Sequence, residues 1–422
     1  MGEMATEGAT AQAGAWRFTR DASDPRFYDR RNRPVYAELL AEGPVHRVDA
    51  EFTQPFWNVC RHDLIREVGK RVDLFTTEQG VHLNAAAFAV ASDDAGSGGP
   101  PIPDDPRLQA ALTPANIMPA SEHRRVRGPI NPHFRADAIA RLEADVRAMV
   151  DKVLDEVETD VEVDFVRSFA SRIPLLVTTR LLGVDVDREH DFERWADAVL
   201  TSFEPGAEAD WAALADMVGF FAAEVQRRKA DPSDDMISAL LSTSLADGEV
   251  VMWCWLLLVA GIETTGNLIA GGMELLLELP EAERARLLGD VGLVRPAVAE
   301  MLRVITPGRY IRRTATADTE LAGHRIRQGD AVVMNFTVAN HDPEMFEDPL
   351  RFDLDRDPNP TLAFSYGPHR CVGMAVARME AVAAFEELLA RFPAIEGRGP
   401  AVYRPSLATA VVESLPVVFR AA

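Results

Sequence analysis

The sequence predicts a mainly α protein with a minor antiparallel β part, packed as one unit. Three observations carry this. Helical periodicity dominates from about residue 120 to 305, as in DAIARLEADVRAMVDKVLDEV and ADWAALADMVGFFAAEVQRRKA. Strand-like runs are short and lie outside that stretch. No repeat or clear linker divides the 422 residues, and 47% hydrophobic with 26% charged residues excludes coiled coil, collagen and a disordered chain.

The elements follow in order. Residues 1–18 have neither a basic start nor an apolar core and read as a mobile tail, leaving 19–422 as a single domain. Residues 34 to 75 read as helix, strand, strand, helix in PVYAELLAEG, GPVHRVD, FWNVCR and HDLIREVGKR. From 84 to 120 Ala, Gly, Pro and Asp prevail, as in SDDAGSGGPPIPDDP, which predicts a lid or binding loop, or disorder. Val250 to Leu277 approaches membrane-spanning length but contains Glu263, Asn267 and Glu274. A mid-span charge costs about 2.5–3.5 kcal/mol, so a buried core helix is expected, and no membrane anchor. Pro296 and Pro307 bracket a short helix, PAVAEMLRVIT. A strand-rich part with TELAGHRI and GDAVVMNF follows, then an irregular stretch from His341 to Pro360 and a helix from about Val372 to Arg391.

Charge and cysteines narrow the function. Against 44 basic residues stand 66 acidic ones, a net of -22, so the overall field repels nucleic acid. Cys60, Cys254 and Cys371 are far apart and odd in number, which excludes a disulfide scaffold and fits a reducing cytoplasm. A cytoplasmic monomer is expected.

Cys371 sits in FSYGPHRCVGMAVARME, between a Gly-containing loop and an Ala-rich helix. A sulfur just before a helix faces unpaired N–H groups and the positive dipole end, which favour the metal-binding thiolate. Gly367 and Gly373 allow a tight turn and the approach of a flat ligand. A buried free cysteine is the plainer alternative. Zinc is poorly served, since only His369 joins Cys371. In LLLVAGIETTGNLIAGG, Ala260, Gly261 and Thr264 lie within about one helical turn. Glu263 sets a carboxylate beside the Thr264 hydroxyl in an apolar helix, where burial without a purpose is costly. Close helix packing with a solvated Glu is the alternative. Glu300 and Arg303 are i,i+3 neighbours, a pair worth about 0.2–0.5 kcal/mol if exposed. His123 and Arg127 share one helix face.

The string Phe364-x-x-Gly367-x-His369-x-Cys371-x-Gly373 resembles the haem-thiolate loop of the cytochrome P-450 monooxygenases of bacterial soluble type, and three further segments stand in that family's order. The resemblance is densest from about Trp255 to Glu387. It implies a single-domain P-450 fold around a buried haem b, with Cys371 as the iron ligand pushing charge toward the opposite face. Phe364 would shield the sulfur, and backbone amides after it would tune the iron. Ala260 and Gly261 would leave room for O2, Thr264 would hydrogen-bond it, and Glu263 would link it to a proton source. His123, Arg127, Arg313 and His369 would partner the haem carboxylates, with Arg312 able to replace Arg313. Glu300 and Arg303 become a buried structural pair completed by Arg351, with Arg356 as second choice. His341 stands where bacterial members often have Arg, read as a surface or loop difference.

The implied reaction inserts one oxygen atom from O2 into a lipophilic molecule of steroid, terpenoid or alkyl type, by hydroxylation or epoxidation. The substrate-contact candidates are Val259, Ala260, Gly308, Arg309 and Tyr310, with 84–120 as a substrate-access loop. Electrons would come from a ferredoxin-type carrier and its reductase, docked by Arg124, Arg125, Arg127, Arg135, Arg370 and Arg378, and no reductase domain is expected in the chain itself. Peroxide-driven oxidation and a haem sensor without turnover are the alternatives, and the Glu263–Thr264 pair argues against both.

Overall fold

The structure is a computed structural model that describes residues 17–51, 53–83, 110–204, 207 and 210–420. Most of the expected tail, residues 1–16, and residues 84–109 of the expected access loop lie outside the described residues.

The helix Asp247–Glu278 organises the molecule. Its 32 residues span about 48 Å. They are apolar nearly all round, so neighbours must cover every face. The helices Arg172–Leu182, Glu189–Thr201, Trp211–Ala230, Val294–Ile305 and Met374–Arg391 do so. Glu249 fixes its start by accepting the Ala246 N–H at 2.8 Å. Among the described residues it is the one helix long and apolar enough to cross a membrane, and 72% of its apolar window is buried in protein, as in a core helix.

The expected helix, two strands and helix form at Arg33–Glu42, Val45–Val48, Phe56–Val59 and His62–Lys70. The two strands enter a five-stranded sheet, followed in space by Ala331–Asn335, Tyr310–Ala315 and Phe75–Thr76. Its pairings are antiparallel except Phe56–Val59 with Ala331–Asn335, which run parallel. TELAGHRI forms a hairpin of its own, Thr319–Leu321 against His324–Ile326, turned by the positive φ of Ala322 and Gly323. The helix expected to start at Pro296 begins two residues earlier, spans Val294–Ile305 and stops at Thr306, whose φ is 49°.

The pair on this helix is buried, and its third member differs from the first choice. Arg303 donates to Glu300 at 2.7 and 2.6 Å, and both side chains are fully buried. Arg356, not Arg351, completes the group, its Nε lying 3.0 and 3.1 Å from the Glu300 oxygens. Arg351 is exposed and contributes only its carbonyl, which accepts from Arg303 at 3.0 Å. Asn359 Nδ2 and the Asp353 N–H also donate to Glu300. The arrangement ties the irregular His341–Pro360 stretch to the helical core. His341 corrects a second expectation. It is 2% exposed, bonds the Thr337 carbonyl at 2.8 Å and meets the Tyr36 ring edge-on, so it is a core residue rather than a surface variation.

Candidate functional site

The loop before the helix Met374–Arg391 presents Cys371. Its N–H donates to the Phe364 carbonyl at 3.0 Å, closing the loop on itself. Gly367 has φ +86°, and a Cβ there would lie 2.0 Å from the Gly69 carbonyl oxygen, so this turn requires glycine and presses on the end of the helix His62–Lys70. Cys371 is an exposed residue. Surrounding protein pushes the thiol pKa up, while N–H groups of Gly373 and Met374 and the charges of Arg127 and Arg370 pull it down. The helix start therefore acts in the expected direction, but burial outweighs it. Phe364 packs beneath the Arg378 guanidinium, 5.2 Å from its ring centre.

Three expected cofactor partners come together without a counter-ion among the described residues. Arg313 is 1% exposed, and none of its three side-chain nitrogens has a hydrogen-bond partner. The His123 and His369 rings stack at 3.9 Å, and His369 Nδ1 is likewise unpartnered. Burial, with Arg127 and Arg313 nearby, lowers His123 to about 4. His369 falls to about 3, for burial and for the charge of Arg313, His123 and Arg127. Leaving a buried guanidinium unmatched is costly. Donors of this kind, linked through Arg127 to the exposed Cys371, fit a flat iron porphyrin bearing two carboxylates, and the residues present suit that group. Arg127 is close enough to His123, His369 and Cys371 to act on all three, but its guanidinium is already bonded. It bonds the Arg370 carbonyl at 2.6 Å and Asn131 at 3.0 Å, bracing the cysteine loop. Arg312 does not exchange with Arg313, because its guanidinium is bonded to the Gln79 carbonyl.

A cavity of about 240 Å³ lies over Thr264, Val259 and Ala260, and Gly308 and Tyr310 line it as expected. Arg309 does not. It lines a separate cleft with Arg33 and Tyr36, and its guanidinium bonds the Ser406 carbonyl and lies over the Tyr28 ring. Alternation along an extended segment sends it to the opposite side from Gly308 and Tyr310. Gly261 is also required by packing: a Cβ there would lie 2.8 Å from Thr178 Oγ1 on the neighbouring helix. Thr264 Oγ1 donates to the Ala260 carbonyl at 2.7 Å. Glu263 pairs with Arg404 at 3.1 Å, and its other oxygen is buried without a partner. Burial raises its pKa to about 7, against the pull of Arg404 and helped by Asp197 and Glu204.

The basic surface near the cysteine differs from the expected one. Arg125 is held by Glu122 and Glu249, and Arg135 by Asp137 at 3.2 Å. Sequence reasoning missed Arg66 and Lys70, whose charges lie 4.8 and 5.4 Å from the centre of the Tyr366 ring in the cysteine loop. It also missed Arg404 and His82, which no local pattern marks.

A cysteine held by a loop at a helix start, with a buried unmatched arginine beside two stacked histidines, is the arrangement of a haem-thiolate site. The Cytochrome P450 family profile matches residues 178–400. A polyketide biosynthesis cytochrome P450, PksS of Bacillus subtilis, is 32% identical over 91% of this chain and 94% of its own. A steroid C26-monooxygenase of Mycobacterium tuberculosis is 30% identical over 94% of this chain and 96% of its own. The solved structure of PksS superposes with a TM-score of 0.81 at 26% identity, covering 95% of this chain and all of that one. P450BioI, solved in complex with an acyl carrier protein carrying hexadec-9Z-enoic acid, gives a TM-score of 0.81 at 27% identity, over 92% and 98% of the two chains. The chain belongs to the cytochrome P450 family. Its fold is the mainly α, single-domain fold expected, and the family implies haem with a cysteine thiolate and the use of O2 in a monooxygenase reaction.

Proposed function

We propose that this protein is a cytoplasmic monooxygenase acting on a lipophilic small molecule, with Cys371 as the iron ligand and electrons supplied by a separate carrier. The observation that carries the site assignment is Arg313, a buried guanidinium with three unmatched nitrogens beside His123 and His369, in a cluster that Arg127 links to Cys371. When bound, the haem supplies the activation of O2.

The chain's own residues do the rest. Arg313, His123 and His369 bind and orient the two carboxylates. The Gly373 and Met374 N–H groups stabilise negative charge on Cys371, while Phe364 keeps water from it. Thr264 holds a hydroxyl proton at Oγ1 on the wall of the cavity. Glu263, with a pKa of about 7, exchanges protons readily at neutral pH and feeds Thr264 when it leaves Arg404. The cavity wall, with Val259, Leu200, Phe203 and Trp255, favours an apolar substrate held by burial. The names of the relatives, a steroid C26-monooxygenase and a polyketide biosynthesis cytochrome P450, support a substrate of steroid or polyketide type. An acidic ferredoxin-type carrier suits the surface of Arg66, Lys70 and Arg370 beside the cysteine loop.

The test is direct. The reduced carbon monoxide complex should show the red-shifted Soret band of thiolate ligation, and Cys371→Ala should lose it. Thr264→Ala should keep the band but divert electrons from product to peroxide. A wild-type complex without that band would falsify the assignment of Cys371.

A further inference from the structure

The cavity over Thr264 is walled by apolar side chains, among them Val81, Ile117, Leu200, Phe203 and Trp255. Most polar groups on this wall are used. Trp255 Nε1 donates to the Ala111 carbonyl at 2.7 Å, Tyr310 Oη accepts from the Leu83 N–H at 3.1 Å, and Thr264 bonds Ala260. Two of the residues that line it each carry a buried polar atom without a partner: His82 Nδ1 and Asn116 Oδ1. An unmatched buried polar atom costs about 1–3 kcal/mol, which a ligand group recovers when it completes the bond.

His82 is held in place. Its ring lies flat on Phe203, with centroids 3.9 Å apart, and edge-on to Tyr310 at 6.1 Å. Burial lowers its pKa to about 4, so the ring is neutral at pH 7. No Lys or Arg lines the cavity among the described residues, so a carboxylate would find no counter-ion there. The complementary group is therefore uncharged. Asn116 Oδ1 accepts a hydrogen bond, and neutral His82 Nδ1 donates or accepts by choice of tautomer. A ketone only accepts and cannot satisfy Asn116 Oδ1. An alcohol donates and accepts.

We propose that His82 and Asn116 form a polar anchor that selects a lipophilic substrate already bearing an alcohol hydroxyl, in addition to the carbon that is oxidised. This deepens, and rests on, the monooxygenase reading above. It also places the enzyme after a reaction that installs a hydroxyl or reduces a ketone. A site built to bond a hydroxyl rejects the analogue lacking it far more strongly than an apolar pocket does.

The test uses the holoenzyme and two probes, cyclododecanol and cyclododecane, titrated through the shift of the haem spectrum. Wild type should bind the alcohol at least about tenfold more tightly, although the hydrocarbon is the more hydrophobic of the two. The preference should collapse in His82→Phe and in Asn116→Leu, with the hydrocarbon bound as well as before. Equal or tighter binding of cyclododecane by wild type overturns the anchor, and so does a preference unchanged in both variants. The reduced carbon monoxide complex of each protein separates the failures. A normal thiolate band with no alcohol preference removes only the anchor, whereas a missing band in wild type removes the monooxygenase reading with it.

Discussion

Arg404 Nη2 lies 3.1 Å from Glu263, and its Nη1 lies 2.6 Å from Asp197, so the acid of the central helix is tied to the strand Val402–Arg404 while neighbouring Thr264 faces the cavity. The pair thus holds the proton source back from the hydroxyl it is proposed to serve.

That placement has a pH signature. Folding raises the Glu263 pKa from 4.5 to about 7, so between those values the folded chain keeps a proton that the unfolded chain has released. The stability from this group is complete below about pH 4.5 and is lost as pH climbs through 7, by about 3 kcal/mol. Glu263→Gln lacks the slope. Its stability relative to wild type should rise by that amount from pH 4.5 to 7.5 in urea unfolding, and parallel curves would show that the carboxyl is not shifted.

Arg356 and Arg351 give a matched pair of substitutions. Arg356→Ala strips a partner from the fully buried Glu300 and should cost about 3–5 kcal/mol. Arg351→Ala removes an exposed side chain while its carbonyl still accepts from Arg303, and should change stability by less than about 0.5 kcal/mol. Thermal unfolding of the two decides the assignment, and equal losses would contradict it.

Arg313 should stabilise the haem complex but not the haem-free chain, because its three nitrogens are unmatched within the protein. Arg313→Met should leave the haem-free protein as stable as wild type or more so. It should also speed haem transfer to apomyoglobin about 10- to 100-fold, the loss expected for a charged hydrogen-bond donor. Unchanged transfer would place the carboxylates elsewhere.

Charge reversal separates the two basic surfaces. Arg66→Glu with Lys70→Glu should slow reduction by a ferredoxin about tenfold at low salt and flatten its ionic-strength dependence in stopped-flow traces. Arg125→Glu, at a residue already held by Glu122 and Glu249, should do far less. The reverse ranking would move the docking face.

What the sequence revealed tracks how local the controlling physics is. The Phe364–Gly373 loop was legible because its turn, glycine and helix start are consecutive. The grouping of His123, Arg313 and His369 followed from the family resemblance, because they lie far apart in the chain and none is marked by its neighbours. Arg309 was misplaced for want of the alternation rule, which sends it away from Gly308 and Tyr310. The third member of the Glu300 group was decided by the path of a Pro-rich segment without periodicity. Arg404 stands 141 residues from Glu263, and nothing near either residue announces the contact. His341 looked like a loop position because its neighbours are Asn340 and Asp342, yet all three are buried.

The contact between Gly367 and Gly69 brings two backbones together with no side chain between them. Arg66 and Lys70 belong to the same helix end as Gly69. A carrier gripping those two charges, as proposed, would bear on the segment that holds Cys371 through an unpadded backbone contact.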